Sequence, residues 1–384
     1  MNPLFAAQPT SIFEQMSGLA REYGAVNLGQ GFPDFGWPDD VVAKAAEALT
    51  TGSNQYPPMR GLAETREAVA AFYTRRQGLA IDIDQVTITS GATEAIAAAL
   101  MALISPGDEV LMFQPLYDAY LPLVLRAGGT PRFASLTPPD WRLTEEALAA
   151  AFTERTRLVI FNNPHNPTAR VFDRAELQLL ADFCIRHDAL VLSDEVWEEV
   201  VFDGLAHIPL ASLPGMAERA IKVGSAGKIF SLTGWKVGWV IAPPALAPTI
   251  AKAHQFLTFT TPPNLQAAVA YGLSKEESYF VAMRAAFERA RDRMAAALAE
   301  AGYAVLPAAG TYFMNLDLAA SGIALADRDF CEGAVREAGV AAIPNSALYA
   351  QKAATGTIRL CFAKRDETID SGVERLARAR SLFA

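Results

Sequence analysis

The chain has 384 residues, 51% hydrophobic and 20% charged, the composition of a soluble globular protein with volume for two domains or one large α/β domain carrying a smaller one. Its formal net charge of −9 argues against a nucleic-acid partner, which would need a basic face. Three cysteines, Cys184, Cys331 and Cys361, have neither metal-ligand spacing nor an even count, which fits buried thiols in a reducing compartment.

The opening MNPLFAAQPTSIFEQM has neither a basic nor a continuous apolar region. No continuous apolar run further on approaches the roughly 20 residues that cross a bilayer, so a cytoplasmic location is expected. A helical pattern over Ile12 to Tyr23 leads into NLGQGFPDFGWPDD, a turn-rich stretch holding Phe32, Phe35 and Trp37. Its glycines suit either a surface loop pinned by aromatics or backbone laid against a ligand. Helices are predicted from Asp39 to Thr50 and from about Leu62 to Gln77, on either side of NQYPPMRG. Val86 to Thr89 reads as a strand, and Ser90-Gly91-Ala92-Thr93-Glu94 turns directly into an Ala-rich helix reaching about Ile104. Such a turn is either an ordinary small-residue connection or an anion site made by backbone N–H groups and the helix dipole.

After Pro106-Gly107-Asp108 the unit repeats, with strands EVLMF, Thr130 to Ala134, RLVIF and ALVLS separated by helices ending near Arg126, Phe152 and His187. Apolar strands without alternation, spaced by helical patterns, predict an α/β fold with a mostly parallel sheet covered on both faces. Ligands bind such sheets beyond the carboxyl ends of the strands. Gly91, Tyr117, Asn166, Asp194 and Lys228 each follow a predicted strand.

Lys228 stands in IKVGSAGKIFSLTGWKVGWV, a small-residue loop after an apolar run, among Ser225, Ser231, Thr233 and Lys236. A buried amine wants an opposite charge or a covalent partner, because desolvation penalises the ammonium form. The surrounding hydroxyls and second cation favour an aldehyde cofactor held as a Schiff base. Asp194 could be a helix N-cap, or the carboxylate that keeps a pyridine nitrogen protonated. Beyond Val240 come helices near Leu246 to Phe256 and Leu265 to Leu273, then a long one from about Glu277 to Ala301. The expected division is an N-terminal segment 1–39 packing with the small domain, a large domain 40–280, and a small α+β domain 281–384 that includes the long helix.

Six segments, NLGQGFPDF, SGATEA, NNPHNPT, SDEVW, SAGKIFSLTGWKVGW and TIRLCFA, resemble the signature stretches of the fold-type I, pyridoxal-phosphate-dependent class I/II aminotransferases. The resemblance is closest to the kynurenine/glutamine/methionine subgroup and runs in order from about Asn27 to Phe362. It implies Lys228 as the Schiff-base lysine and proton carrier, Asp194 at the ring nitrogen, Asn166 at the ring hydroxyl and Tyr117 against the ring face. It implies a phosphate site from Gly91, Ala92, Thr93, Ser225 and Lys236, with Tyr56 reaching over from the other subunit of a homodimer. Arg359 would clamp the substrate carboxylate, helped by Gly31 and Asn166.

The chain also departs from that pattern. Trp197 stands where a tyrosine is usual at the cofactor's ring oxygen, Lys236 where many relatives have arginine, and Thr260 where kynurenine-type members carry a histidine from the neighbouring subunit. The expected activity is ping-pong transfer of an amino group from a neutral, bulky or aromatic amino acid to a 2-oxo acid. Phe32, Phe35, Trp37, Tyr56, Phe259 and Phe313 are the candidates for an apolar substrate pocket. Arg60 is the one candidate for a second arginine, which a dicarboxylate would need. β-Elimination from sulfur-substituted cysteines is the alternative on the same chemistry. His165 is read as a loop residue, His187, His207 and His254 form no ligand cluster, and no metal is expected.

Overall fold

A computed structural model describes every residue except Asn2 and Ala7. Its centre is a seven-stranded sheet of β1 (Val86–Thr89), β2 (Glu109–Gln114), β3 (Thr130–Ser135), β4 (Thr156–Asn162), β5 (Leu190–Asp194), β6 (Ala220–Ser225) and β7 (Gly238–Ile241), in the order β1-β7-β6-β5-β4-β2-β3. From β6 to β3 the neighbours are parallel, while β7 runs antiparallel to both β1 and β6. Every residue of β1, β2, β5, β6 and β7 is buried, which is why these strands read as unbroken apolar runs.

Alternate residues supply the two faces. Leu111, Val159 and Val191 pack with Leu177, Leu180 and Phe183 of helix Arg174–Arg186, whose start is fixed by a capping box between Asp173 and Glu176. Met112, Ile160, Leu192 and Val223 join the opposite core with Ala95, Ala98 and Ala99 of helix Gly91–Leu103. Each fully buried Leu or Ile contributes about 1.5–3 kcal/mol. The alanines matter by their smallness, since they let this helix lie close to the sheet. Gly238 serves the same end: a Cβ there would lie 2.8 Å from Ala92 N and from Gly91 C.

Helix Glu277–Glu300, 24 residues and so about 36 Å long, leads out of this layer. Beyond it a four-stranded antiparallel sheet forms from Ile343–Pro344, Thr357–Cys361, Phe313–Asp317 and Ala304–Val305 in that order. Val26–Asn27 pairs in parallel with Val340–Ala341, so the N-terminal residues are tied to the C-terminal ones by backbone. Helix Asp366–Phe383, absent from the expectations above, closes the chain by burying Ile369, Val373, Leu376 and Ala379. Helix Asp327–Gly333 is α-helical and continues as a π-helix over Ala334–Ala338. All three cysteines are buried and unpaired, and no described helix is long and apolar enough to cross a membrane.

Candidate active site

A cavity of about 260 Å³ opens beyond the carboxyl ends of the strands. Gly91, Ala92 and Thr93 reach it from the turn after β1, Tyr117 from beyond β2, and Asn162 and Asn166 from the end of β4. Asp194 and Trp197 come from β5, and Ser225, Lys228 and Lys236 from the excursion between β6 and β7. Gly31 and Arg359 arrive from the N-terminal loop and the small sheet. The central sheet thus brings positions as far apart as Gly91 and Lys236 onto one rim.

Three ionisable groups define its electrostatics. Burial pushes the Lys228 amine down to about 8, and it forms no ion pair among the described residues. Its Nζ lies 3.2 Å from Tyr312 Oη and 4.7 Å from the centre of the Trp197 ring. Burial likewise pushes Asp194 up to about 6, only partly offset by a 2.5 Å hydrogen bond from Tyr120 Oη and a 3.3 Å one from Val196 N. Arg359, 1% exposed, donates to Asn166 Oδ1 at 2.8 Å and to Gly29 O at 2.9 Å, and its guanidinium lies 3.8 Å from the Phe313 ring centre. Its Nε has no partner, and burial lowers it to about 10, still charged at neutral pH. Lys228 and Asp194 feel each other's charge without forming a contact ion pair, and such half-satisfied groups, with an arginine that has an unused N–H, are costly. Each has the valence that a bound ligand would complete.

The group implied by the resemblance, pyridoxal phosphate, fits this set. Helix Gly91–Leu103 begins without a side-chain cap, leaving first-turn N–H groups for an anion. Ser225 lines the same wall, and Lys236 makes no ion pair among the described residues. Gly91 has φ +78°, and a Cβ there would sit 3.3 Å from Lys236 Cε and Nζ, so a larger residue would strain the backbone and crowd the cation. Asp194, buried and short of a positive partner, suits a protonated ring nitrogen.

His254 braces this cradle. Its Nε2 donates to Met59 O at 2.9 Å, Nδ1 meets Glu94 Oε1 at 2.9 Å, and Glu94 Oε2 accepts from Ser90 N at 2.8 Å. Burial opposes its charge, but Glu94 wins and holds the imidazole above its ordinary 6.5. Because the folded value exceeds the unfolded one, the stabilisation is complete below about 6.5 and is lost as pH rises through the raised value. Thermal melts of cofactor-free protein between about pH 6 and 9 should fall across that window. His254→Asn should lack the slope.

Other candidates lie elsewhere. Tyr56 is 83% exposed and pairs edge-on with Phe259, itself 41% exposed, at 5.6 Å, and neither they nor Thr260 line the cavity of this chain. Phe32 and Trp37 are also exposed, and Phe35 packs on Phe287, so of the proposed aromatic pocket only Phe313 lines the cavity, joined by Phe13 and Ile96. Arg60 turns away, donating to Asp84 O at 2.7 Å. His165 lies in a loop, as expected, but buried against Thr168 and Phe172, and burial lowers it to about 3. His207 does converge with Glu195 and Glu198, their ligand atoms lying within 4.8 Å, but the Lys222 ammonium already bonds both carboxylates.

Two further residues escaped the sequence reading. Tyr120, three positions after Tyr117 in QPLYDAY, holds Asp194. Tyr312, in the GTYF turn before strand Phe313–Asp317, reaches Lys228. The signal for Tyr120 was its place in the helix start beside a rim residue. For Tyr312, on a different sheet, there was none.

Comparison with known proteins agrees with this geometry. Residues 23–376 match the family described as aminotransferase class I and II. The methionine aminotransferase of Escherichia coli strain K12 is 42% identical over 96% of this chain and 95% of its own. Kynurenine–oxoglutarate transaminase 1 of Rattus norvegicus is 36% identical over 97% and 96%. The solved structure of N-succinyldiaminopimelate aminotransferase from Mycobacterium tuberculosis superimposes with a TM-score of 0.95 at 41% identity, covering 98% of this chain and 99% of that one.

Proposed function

The chain belongs to the class I and II aminotransferases, and from that premise we propose that its cavity takes pyridoxal phosphate together with an amino acid whose side chain is neutral and bulky or aromatic. The observation that carries the reading is Lys228, a half-buried amine that makes no ion pair among the described residues and shares one cavity with Asp194 and Arg359. When bound, pyridoxal phosphate supplies the electron sink that lets the amino acid's α-proton leave. Lys228 accepts that proton from Cα, its lowered pKa suiting it to a base near neutral pH. Asp194, steadied by Tyr120, holds a proton at the ring nitrogen, Asn166 bonds the ring hydroxyl, and Tyr117 covers the ring face. Ala92, Thr93, Ser225 and Lys236 hold the phosphate. Arg359 and Asn166, with the backbone at Gly31, orient the substrate carboxylate.

Lys228, Lys236 and Arg359 are the only cationic side chains lining the cavity among the described residues, and each has a task in this scheme. The walls not given a task above are mainly apolar, with Phe13, Ile96, Val196, Val237 and Phe313, and include the amide of Gln30. A second carboxylate would be buried there without a cationic partner. Assembly as a homodimer is part of the proposal, supported by the exposed Tyr56, Phe256 and Phe259, which a second copy would cover. The division into 1–39, 40–280 and 281–384 is proposed on the same terms, supported by the two separate sheets. β-Elimination finds no support among the relatives, which are transaminases.

The test is a panel of amino donors, including methionine, phenylalanine, kynurenine, glutamine, aspartate and N-succinyldiaminopimelate, each against several 2-oxo acids. Neutral donors should exceed aspartate by about 100-fold in kcat/KM, the order expected for an unpaired buried carboxylate. A preference for aspartate or for the succinylated donor would overturn the substrate class.

A further inference from the structure

Lys228 is enclosed by two aromatic side chains that differ in what they can offer it. Trp197 is 3% exposed and Tyr312 fully buried, their rings meeting edge-on at 4.3 Å. The indole presents its ring to Nζ and has no lone pair to accept with. The phenol of Tyr312 lies 3.2 Å from Lys228 Nζ and 2.8 Å from the carbonyl oxygen of Gly31. A carbonyl can only accept, so the single phenolic proton goes to Gly31, and the Tyr312 oxygen is left able only to accept from the lysine. Burial raises the phenol well above 10, so it keeps that proton throughout the working range.

We propose that Tyr312 is the positioning residue for Lys228: it grips the amine through one N–H, with polarity fixed by the Gly31 carbonyl, and leaves the amine's lone pair unused for the substrate proton. The inference rests on Lys228 being the catalytic amine. A lysine stem has four rotatable bonds, and an unheld amine would sample positions from which proton transfer fails. Tyr312 cannot itself swing away, since Trp197, Phe287 and Phe313 pack around its ring. Because its other bond ends on the loop that carries Gly31, the same hydroxyl also fixes that loop relative to the lysine.

The experiment compares the full chain with its Tyr312→Phe variant. In turnover, kcat should fall about 10- to 100-fold while donor KM and pyridoxal phosphate affinity stay within about twofold. In cofactor-free protein, reductive methylation of Lys228 is followed by peptide mass spectrometry as a function of pH. The titratable and charged groups facing the amine there are Asp194, Lys236, Arg359 and the thiol of Cys361, which burial keeps protonated. Loss of an acceptor for the ammonium should move the labelling midpoint down by about one pH unit. The double variant Trp197→Tyr/Tyr312→Phe, which returns a hydroxyl from the opposite wall, should recover part of kcat. Unchanged kcat with an unchanged labelling midpoint would overturn the proposal. So would a parallel loss of kcat, KM and cofactor affinity that the double variant does not relieve, since that is the mark of a structural role. Failure of the underlying assignment would look different, as turnover surviving in a Lys228→Ala chain.

Discussion

Lys228→Ala should reduce transamination by about 10⁴-fold or more, because it removes the general base as well as the covalent attachment point. The protein itself should remain folded. The folded-state pKa of Lys228 lies below its ordinary 10.5, so the ammonium form costs stability at every pH below about 8. Removing the amine removes that cost, which offsets the packing lost with the stem, and the melting temperature should not drop. Borohydride treatment of wild-type protein with pyridoxal phosphate should tag the Lys228 peptide, and the variant should carry no tag in the cavity. A reducible adduct in the variant, or a rate within tenfold of wild type, would remove the lysine from the mechanism.

For Arg359→Ala the expected result is a rise in donor KM of about 100-fold or more, with cofactor affinity changed by less than about threefold. Two charge-assisted hydrogen bonds to a carboxylate contribute about 3 kcal/mol or more, which is the origin of that factor. Arg359→Lys should rescue little. The side chain is flanked by the rings of Phe13 and Phe313 at 4.9 and 3.8 Å and makes two directed bonds, and an ammonium reproduces neither the stacking nor the fork. Titrating each variant with pyridoxal phosphate and with donor separates the effects, and equal losses in both would make Arg359 a structural residue.

Much of this site could be read before any coordinates because parallel strands deliver the residues that follow them to one edge. Asp194 ends an apolar strand and Asn166 and Lys228 follow one within four residues, and that proximity was enough to place them on one rim. Other features were not encoded in that way. GWVI is as apolar as its neighbours, and a four-residue run says nothing about strand direction, so the antiparallel setting of β7 was invisible. Tyr312 acts on Lys228 across 84 positions and between two sheets. Phe32 and Trp37 are exposed and do not line the cavity of this chain, because ring size alone does not say whether a loop residue is covered within its own chain. Helix Asp366–Phe383 is a different case. Ile369, Val373, Leu376 and Ala379 repeat at helical spacing, and the pattern was there to be read.

The antiparallel β7 sets a mechanical tolerance for the whole site. β6 leaves the sheet at Ser225 and β7 re-enters it beside the same strand, its Ser225 paired with Gly238, so Lys228 and Lys236 ride on one closed excursion clamped at both feet. One foot, Gly238, lies hard against the backbone of Gly91 and Ala92. The distance between the proposed covalent anchor, Lys228, and the proposed charge anchor, Lys236, is therefore metered by the loop that carries both. One inserted residue would displace one anchor from the other by up to about 3.3 Å, more than a hydrogen bond can absorb. The residue count of this excursion is thus constrained together with the identity of its two lysines.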